Sequence, residues 1–287
     1  MRIAVVGAGG VGGYYAGELA RAGHDVRLLA RGPHLAAIEA GGLEVRTPEG
    51  SYRVRLRATD SAEALGAVDV ALVAVKAYSL EEVADGVRRL ALGGGTVVPL
   101  LNGVDAAERL AALGVPGERL LSGLTYISAA RVAPGVVERR SPFRRVRVGQ
   151  GAGPSSERAR MLVAALEDAG VDAEVSGDIQ LELWRKFVFL VALSTACGLA
   201  RAEVGRVRAA PGGERLLGHL VAEVATLARA RGVPFGPDEE RRALTLLLEL
   251  PRGMRPSFLL DLEAGGRTEL DALTGAVARM AGQAGVA

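Results

Sequence analysis

Lysine is almost absent from this chain of 287 residues. Of its 35 basic side chains only Lys76 and Lys186 are lysine, and the other 33 are arginine. Asn102 is the sole asparagine. Cys197 is the sole cysteine, which excludes a disulfide framework within the chain and a multi-cysteine zinc site. The three histidines, His24, His34 and His219, lack metal-ligand spacing, so no metal is expected. A surplus of one charge is missing too. The net charge is +2 and the arginines are scattered, which gives no footprint for nucleic acid or an anionic membrane. The longest apolar stretch, Phe187 to Ala200, is shorter than the ~20 residues of a membrane span, and Ser194 and Thr195 interrupt it. Only Met1 and Arg2 precede the first apolar run, leaving no charged leader region. A soluble cytoplasmic protein is expected, with no nucleic-acid or membrane partner. Scarce asparagine fits avoidance of thermolabile side chains, but scarce lysine runs against the usual hyperthermophile pattern. GC-biased coding is the plainer account of the arginine excess.

What is present suits a folded protein with an ample core. Hydrophobic residues make up 49% and charged residues 24%. The first half alternates strand and helix signals. Strands are expected at Arg2 to Val6, Asp25 to Leu29, Asp69 to Val75 and Thr96 to Leu101. Helices are expected at Val11 to Ala22 and Leu80 to Leu92. Apolar strands alternating with helices imply a doubly wound, mainly parallel α/β sheet. Period-two alternation over Leu43 to Arg57 predicts an antiparallel hairpin at the sheet's edge, and Gly135 to Gln150 looks similar. A loop over Gly151 to Ser156 leads to a helix over Glu157 to Ala169 and a last strand over Asp172 to Val175. The segments Ile179 to Leu199, Gly212 to Arg231, Pro237 to Glu249 and Glu269 to Ala281 read as helices. The predicted division is an α/β domain over 1–177 and an all-α domain over 178–287. Exposed apolar helices would leave room for a homodimer.

Gly7-Ala8-Gly9-Gly10-Val11-Gly12 follows a strand and opens a helix. In that context the G-x-G-x-x-G spacing reads as a dinucleotide site, with a glycine-rich βα turn that binds nothing as the alternative. Gly7 permits the tight turn, Gly9 lets the backbone approach the pyrophosphate, and Gly12 lets the helix lie close to the strand. The helix start then offers N–H groups to the phosphates. NAD binders place an acid at the end of the second strand. This chain has Leu28-Leu29-Ala30-Arg31 there, and a guanidinium suits a 2′-phosphate. NADP(H) is therefore expected over NAD(H).

Lys76 and Asn102 each follow a strand at its carboxyl end, where open α/β sheets bind ligands. A solvated strand end and an Asn-Gly turn would explain them equally well. Lys186 enters the most apolar helix. It reads as a proton donor whose pKa burial lowers, or as a lysine whose stem lies on apolar surface. Ser257 and Asp261 are one helical turn apart. Thr268, Glu269 and Asp271 read as a helix start with acids in its first turn.

These pieces, in order, resemble the ketopantoate reductase (2-dehydropantoate 2-reductase) family. The matching motifs are GAGGVGGYYA at Gly7, VKA at Lys76, LNG at Asn102, ELWRK at Lys186, and PS…D…GRTELD from Pro256 to Asp271. The resemblance implies a Rossmann domain followed by a helical one. It implies NADPH-dependent reduction of the small-molecule 2-oxo acid ketopantoate to (R)-pantoate, on the way to pantothenate and coenzyme A. Lys186 would be the general acid and would bind the substrate ketone. Glu269 would bind the nicotinamide ribose and help hold the lysine. Asn102 would lie between nicotinamide and substrate, Ser257 would bind the substrate carboxylate, and Lys76 would reach the cofactor's ribose or phosphates. Ala129, in Ile127-Ser128-Ala129, matches a backbone cofactor contact. The family commonly continues its catalytic helix as K-x-x-x-N-x-x-x-N, where this chain has Leu190 and Ser194. Ser194 can still hydrogen-bond a substrate oxygen; Leu190 cannot, which suggests another branched 2-oxo acid as an alternative substrate. A non-catalytic NADPH sensor would use the same fold, but would have no use for Lys186 as a proton donor.

Overall fold

In the computed structural model, residues 1–150 and 156–286 are described. The loop expected over Gly151 to Ser156 lies outside them except for Ser156. That serine caps the next helix, its hydroxyl accepting from the Ala159 N–H at 3.2 Å. The chain forms two compact units. One comprises 1–101 and 105–179, the other 102–104 and 180–287.

The first unit runs β1 (Arg2–Val6), α1 (Gly10–Arg21), β2 (Asp25–Leu29), α2 (Gly32–Gly41), β3 (Leu43–Thr47), β4 (Gly50–Val54), β5 (Arg57–Thr59), β6 (Val70–Val73), α3 (Leu80–Leu92), β7 (Thr96–Pro99), α4 (Ala106–Ala112), β8 (Ser122–Tyr126), β9 (Ala129–Ala133), β10 (Val136–Arg139), β11 (Arg145–Gly149), α5 (Glu157–Asp168) and β12 (Asp172–Val175). Five strands form a wholly parallel sheet in the order β5-β2-β1-β6-β7. Ile3 to Val6 and Val70 to Val73 are all buried, as their unbroken apolar runs require of strands covered on both faces. Strand order reverses at β1, so the glycine-rich turn that follows β1 stands at the topological switch point, where such sheets bind ligands.

Two smaller sheets complete the unit, ordered β4-β3-β10-β9 and β12-β11-β8. They correct two sequence expectations. The Leu43 to Arg57 hairpin does form, as β3 and β4, but it joins β10 and β9; β5 takes the edge of the parallel sheet. The Gly135 to Gln150 segment is not a hairpin. Its strands β10 and β11 enter different sheets, because Arg140 to Arg144, with Pro142 among them, carries the chain out of the first. Helix α1 packs on the four-stranded sheet through glycines. A Cβ at Gly13 would lie 2.7 Å from Val137, and one at Gly17 would lie 2.5 Å from Val45. The helix approaches as closely as backbone allows.

The second unit contains α6 (Ile179–Ala200), α7 (Val204–Ala209), α8 (Gly213–Ala230), α9 (Pro237–Glu249), α10 (Ser257–Glu263) and α11 (Thr274–Ala284). Its core gathers Trp184, Phe187, Val188 and Val191 of α6 with Leu217 and Val221 of α8. Among the described residues α6 alone is long and apolar enough to cross a membrane, and more than half of that apolar window is buried inside the protein. The helix expected from Glu269 begins later, at Thr274. A short 3₁₀ turn over Leu270–Ala272 intervenes, because Glu269 is drawn into the interior and cannot serve in a solvated first turn.

Candidate active site

The glycine-rich turn has the geometry that its spacing implies. Gly7 has φ +108°, a conformation that side chains rarely adopt. A Cβ at Gly12 would lie 1.9 Å from the Gly7 carbonyl oxygen, so α1 touches the turn it springs from. At Gly10 a Cβ would meet the Ala129 carbonyl oxygen at 2.3 Å; β9 therefore begins against the mouth of α1 and places the Ala129 backbone beside the turn. Gly9 is different: a Cβ there has nothing within 4 Å. Ala8 is buried, Gly9 is exposed, and Val11 is partly exposed. The first intrahelical hydrogen bond runs from the Gly13 N–H to the Gly9 carbonyl at 2.8 Å, so the amides of Gly10, Val11 and Gly12 precede the ladder. Open space at Gly9 and a helix start with glycine at its first and third positions fit a pyrophosphate.

Arg31 ends the β2 segment and starts α2, exposed, with Nη1 3.6 Å from Glu82 Oε2 of α3. Both border a shallow cleft lined also by Val6, Leu29, Asp60 and Val83. Sequence reading found no acid at the end of β2. The fold brings two there from elsewhere, Asp60 from beyond β5 and Glu82 from α3, at separations that no local motif reveals. Lys76 lies three residues beyond β6, half-buried, its carbonyl accepting from the Ser79 N–H at 2.8 Å.

The second unit brings together residues from three distant stretches. Asn102, in the segment that leaves the first unit, donates from Nδ2 to Glu269 Oε2 at 3.2 Å. Gly103 turns the chain there with φ +111°, so the Asn-Gly pair is both a turn and a site element. Glu269 is buried, at 5% exposure. Lys186, on α6, is half-buried. Burial lowers its pKa to about 8, against the opposing pull of the Glu269 carboxylate. An ammonium held near neutrality beside a fixed carboxylate can give up a proton at physiological pH.

The rest of the ELWRK motif seats that lysine. Trp184 is buried edge-on against Phe187, ring centroids 5.5 Å apart. Arg185 makes a two-pronged ion pair with Glu239 of α9, both contacts at 2.7 Å, and a third bond to Glu182 at 3.1 Å. Sequence reading missed this anchor, since Glu239 is an ordinary helix-start acid in the sequence. Ser194, two turns along α6 from Lys186, is buried, and Leu190 between them is partly exposed. Ser257 is exposed in the first turn of α10.

The chain is similar to known proteins over almost its whole length. The profile of the family Ketopantoate reductase PanE/ApbA matches residues 3–153, and that of its C-terminal part matches residues 178–287. The uncharacterized oxidoreductase YkpB of Bacillus subtilis is 32% identical over 96% of this chain and 90% of its own. The 2-dehydropantoate 2-reductase of Halobacterium salinarum is 32% identical over 98% of this chain and 92% of its own. The crystal structure of a PanE/ApbA family ketopantoate reductase from Ralstonia eutropha has a TM-score of 0.91 at 30% identity, covering 100% of this chain and 93% of that one. A complex of D-mandelate dehydrogenase with NADH and anilino(oxo)acetate has a TM-score of 0.89 at 24% identity, covering 100% and 94%, and shares the fold.

Proposed function

The chain belongs to the ketopantoate reductase family, and on that premise we propose that it reduces a branched 2-oxo acid, ketopantoate first among them, to the 2-hydroxy acid with NADPH. The observation that carries this reading is the cluster of Lys186, Glu269 and Asn102. A dinucleotide sensor needs the glycine-rich turn but not a half-buried lysine lowered to about 8 beside a buried carboxylate. A reduced nicotinamide, when bound, supplies hydride to the ketone carbon. The chain's own groups do the rest. The amides at the start of α1 hold the pyrophosphate, with Lys76 and the Ala129 backbone as further cofactor contacts. Lys186 donates a hydrogen bond to the ketone oxygen and then its proton as negative charge develops there, a placement typically worth ~3–4 kcal/mol. Glu269 keeps the ammonium charged and binds the nicotinamide ribose. Asn102, held by Glu269, orients the reacting groups. Ser257 and Ser194 bind the substrate's oxygens. The cytoplasm is the compartment proposed for this activity.

Proton donation sets the pH dependence. Lys186 must be charged, so kcat for reduction is expected to fall as pH rises through about 8. The Glu269 carboxylate raises the lysine's pKa, and Glu269→Gln is expected to move that falling limb to lower pH. A limb that stays in place in the variant contradicts the coupling.

Arg31 is the proposed NADPH selector, and Asp60 and Glu82 limit its preference by facing the same cleft. Arg31→Ala is expected to weaken NADPH by about tenfold, ~1.4 kcal/mol, with little effect on NADH. Titrating both dinucleotides checks this; equal affinities in the wild type contradict the selector.

Substrate choice is tested by kcat/KM for ketopantoate against straight-chain, branched and aromatic 2-oxo acids. Ketopantoate is expected to lead. A lead of another branched acid would identify Leu190 as a change of specificity, since an apolar group cannot pair a substrate hydroxyl.

A further inference from the structure

The chain passes between the two smaller sheets twice, from β8 to β9 and from β10 to β11, and the two passages are hydrogen-bonded to each other. The pairing of β8 with β11 stops at Tyr126 and Arg145. The pairing of β9 with β10 stops at Ala129 and Arg139. Between these limits stand Ile127 and Ser128 on the first passage and the longer segment Arg140 to Arg144 on the second. Unequal lengths break the regular ladder there, so its backbone groups need other partners. The Ser128 N–H donates to the Ser141 hydroxyl oxygen at 3.0 Å. The Ser128 carbonyl accepts from the Arg140 N–H at 2.7 Å. The Ser141 hydroxyl gives its one hydrogen to the Phe143 carbonyl at 2.7 Å, which leaves its oxygen to accept.

Ser141 is itself held. It is 5% exposed, and its carbonyl accepts from Nη1 of the buried Arg139. That guanidinium pairs through Nη2 with Glu49 and lies over the Tyr14 ring of α1, 5.7 Å from its centroid. A buried serine with both hydroxyl roles filled is a fixed acceptor. The residue after Ser128 is Ala129, and its backbone meets the glycine-rich turn. A Cβ on Gly10 would lie 2.3 Å from the Ala129 carbonyl oxygen and 2.4 Å from the Ala130 nitrogen. The peptide joining Ala129 to Ala130 therefore rests on the first residue of α1, one residue beyond the Ser128–Ser141 bond.

We propose that Ser141 is a positioning residue for dinucleotide binding: by holding the Ser128 N–H it sets the Ala129 backbone against the start of α1. This rests on the reading of that turn as a dinucleotide site and of Ala129 as a cofactor contact. The pyrophosphate assigned to this helix start is common to both cofactors, so Ser141 acts on NADPH and NADH alike, whereas Arg31 acts on one.

Two substitutions separate positioning from simple support of the fold. Ser141→Ala removes the acceptor, and Ser141→Thr keeps a hydroxyl. Binding of NADPH and of NADH is measured by titration for both variants, beside their melting curves, kcat at saturating cofactor and hydrogen exchange of the Ser128 amide. The Ala variant is expected to exchange that amide faster, to bind both dinucleotides about fivefold more weakly, ~1 kcal/mol, and to keep its kcat. The Thr variant is expected to protect the amide and to bind within about twofold of the wild type. Unchanged binding in the Ala variant overturns the proposal, as does a loss confined to NADPH or a loss in the Thr variant equal to that in Ala. A Ser128 amide that exchanges as fast in the wild type as in the Ala variant overturns it too. Should the Ala variant not fold, Ser141→Cys, whose sulfur accepts only weakly, takes its place with the same expectations. A wild type that binds neither dinucleotide overturns the reading of the turn and the proposal with it. A wild type that binds both, beside an Ala variant that binds them equally well, overturns the proposal alone.

Discussion

Lys186→Ala is expected to lower kcat for 2-oxo acid reduction by about 10²–10⁴-fold, the usual worth of a positioned acid, while NADPH still binds. The lysine sits on the core helix of the second unit, and the turn proposed to hold the phosphates belongs to the first. Removing its side chain takes away the proposed proton donor without touching the glycine-rich turn. Trp184, Phe187 and the Arg185–Glu239 pair seat α6 independently of residue 186, so the variant keeps its fold. Arginine at this position is expected to restore little. A guanidinium supplies charge and hydrogen bonds but stays protonated near neutrality, so it stabilises the developing alkoxide without completing the transfer. Steady-state kcat and a separate NADPH titration check both halves. Full activity in Lys186→Ala would assign the proton to another group.

Gly9→Val is expected to abolish dinucleotide binding, weakening NADPH by at least about 100-fold, ~2.7 kcal/mol, and to leave the melting curve unchanged. The contrast with its neighbours makes this informative. At Gly12 an added Cβ collides with backbone at 1.9 Å, and at Gly7 φ is +108°, so substitutions there damage the fold and say nothing about ligand. At Gly9 φ is −72° and the space is open. A valine fits the protein and occupies the ground proposed for the pyrophosphate. Retained NADPH binding in this variant would move the cofactor elsewhere.

Much of the fold was legible because its signals are local. Strand β2, helix α3, helix α9 and strand β12 begin and end where apolar periodicity and the flanking turns place them. Helix α2 escaped notice because only His34 and Ile38 of its ten residues are buried, too few to form a stripe. The division of the remaining strands among sheets escaped too, since the Val136–Val137 and Val146–Val148 runs look alike and their partners lie far away in sequence. The candidate site divides in the same way. The glycine-rich turn and the ELWRK motif are continuous and could be read. The Asn102–Glu269 bond spans 167 positions, and only the family resemblance brought those residues to notice together. Asp60, Glu82 and Glu239 gave no sign at all. Each is an ordinary polar residue until tertiary structure sets it against Arg31 or Arg185. The scarcity of lysine now reads more sharply. Arginine replaces a lysine that only carries surface charge, but not one whose task is to lose a proton, and Lys186 has the burial that task requires.

The most direct test of the whole account is to mix wild-type protein with NADPH and ketopantoate and count cofactor oxidised against 2-hydroxy acid formed. One-to-one conversion, lost in Lys186→Ala, is the expected result. Tight NADPH binding with no oxidation, by ketopantoate or any other 2-oxo acid, would contradict it and leave a dinucleotide-binding protein without the chemistry.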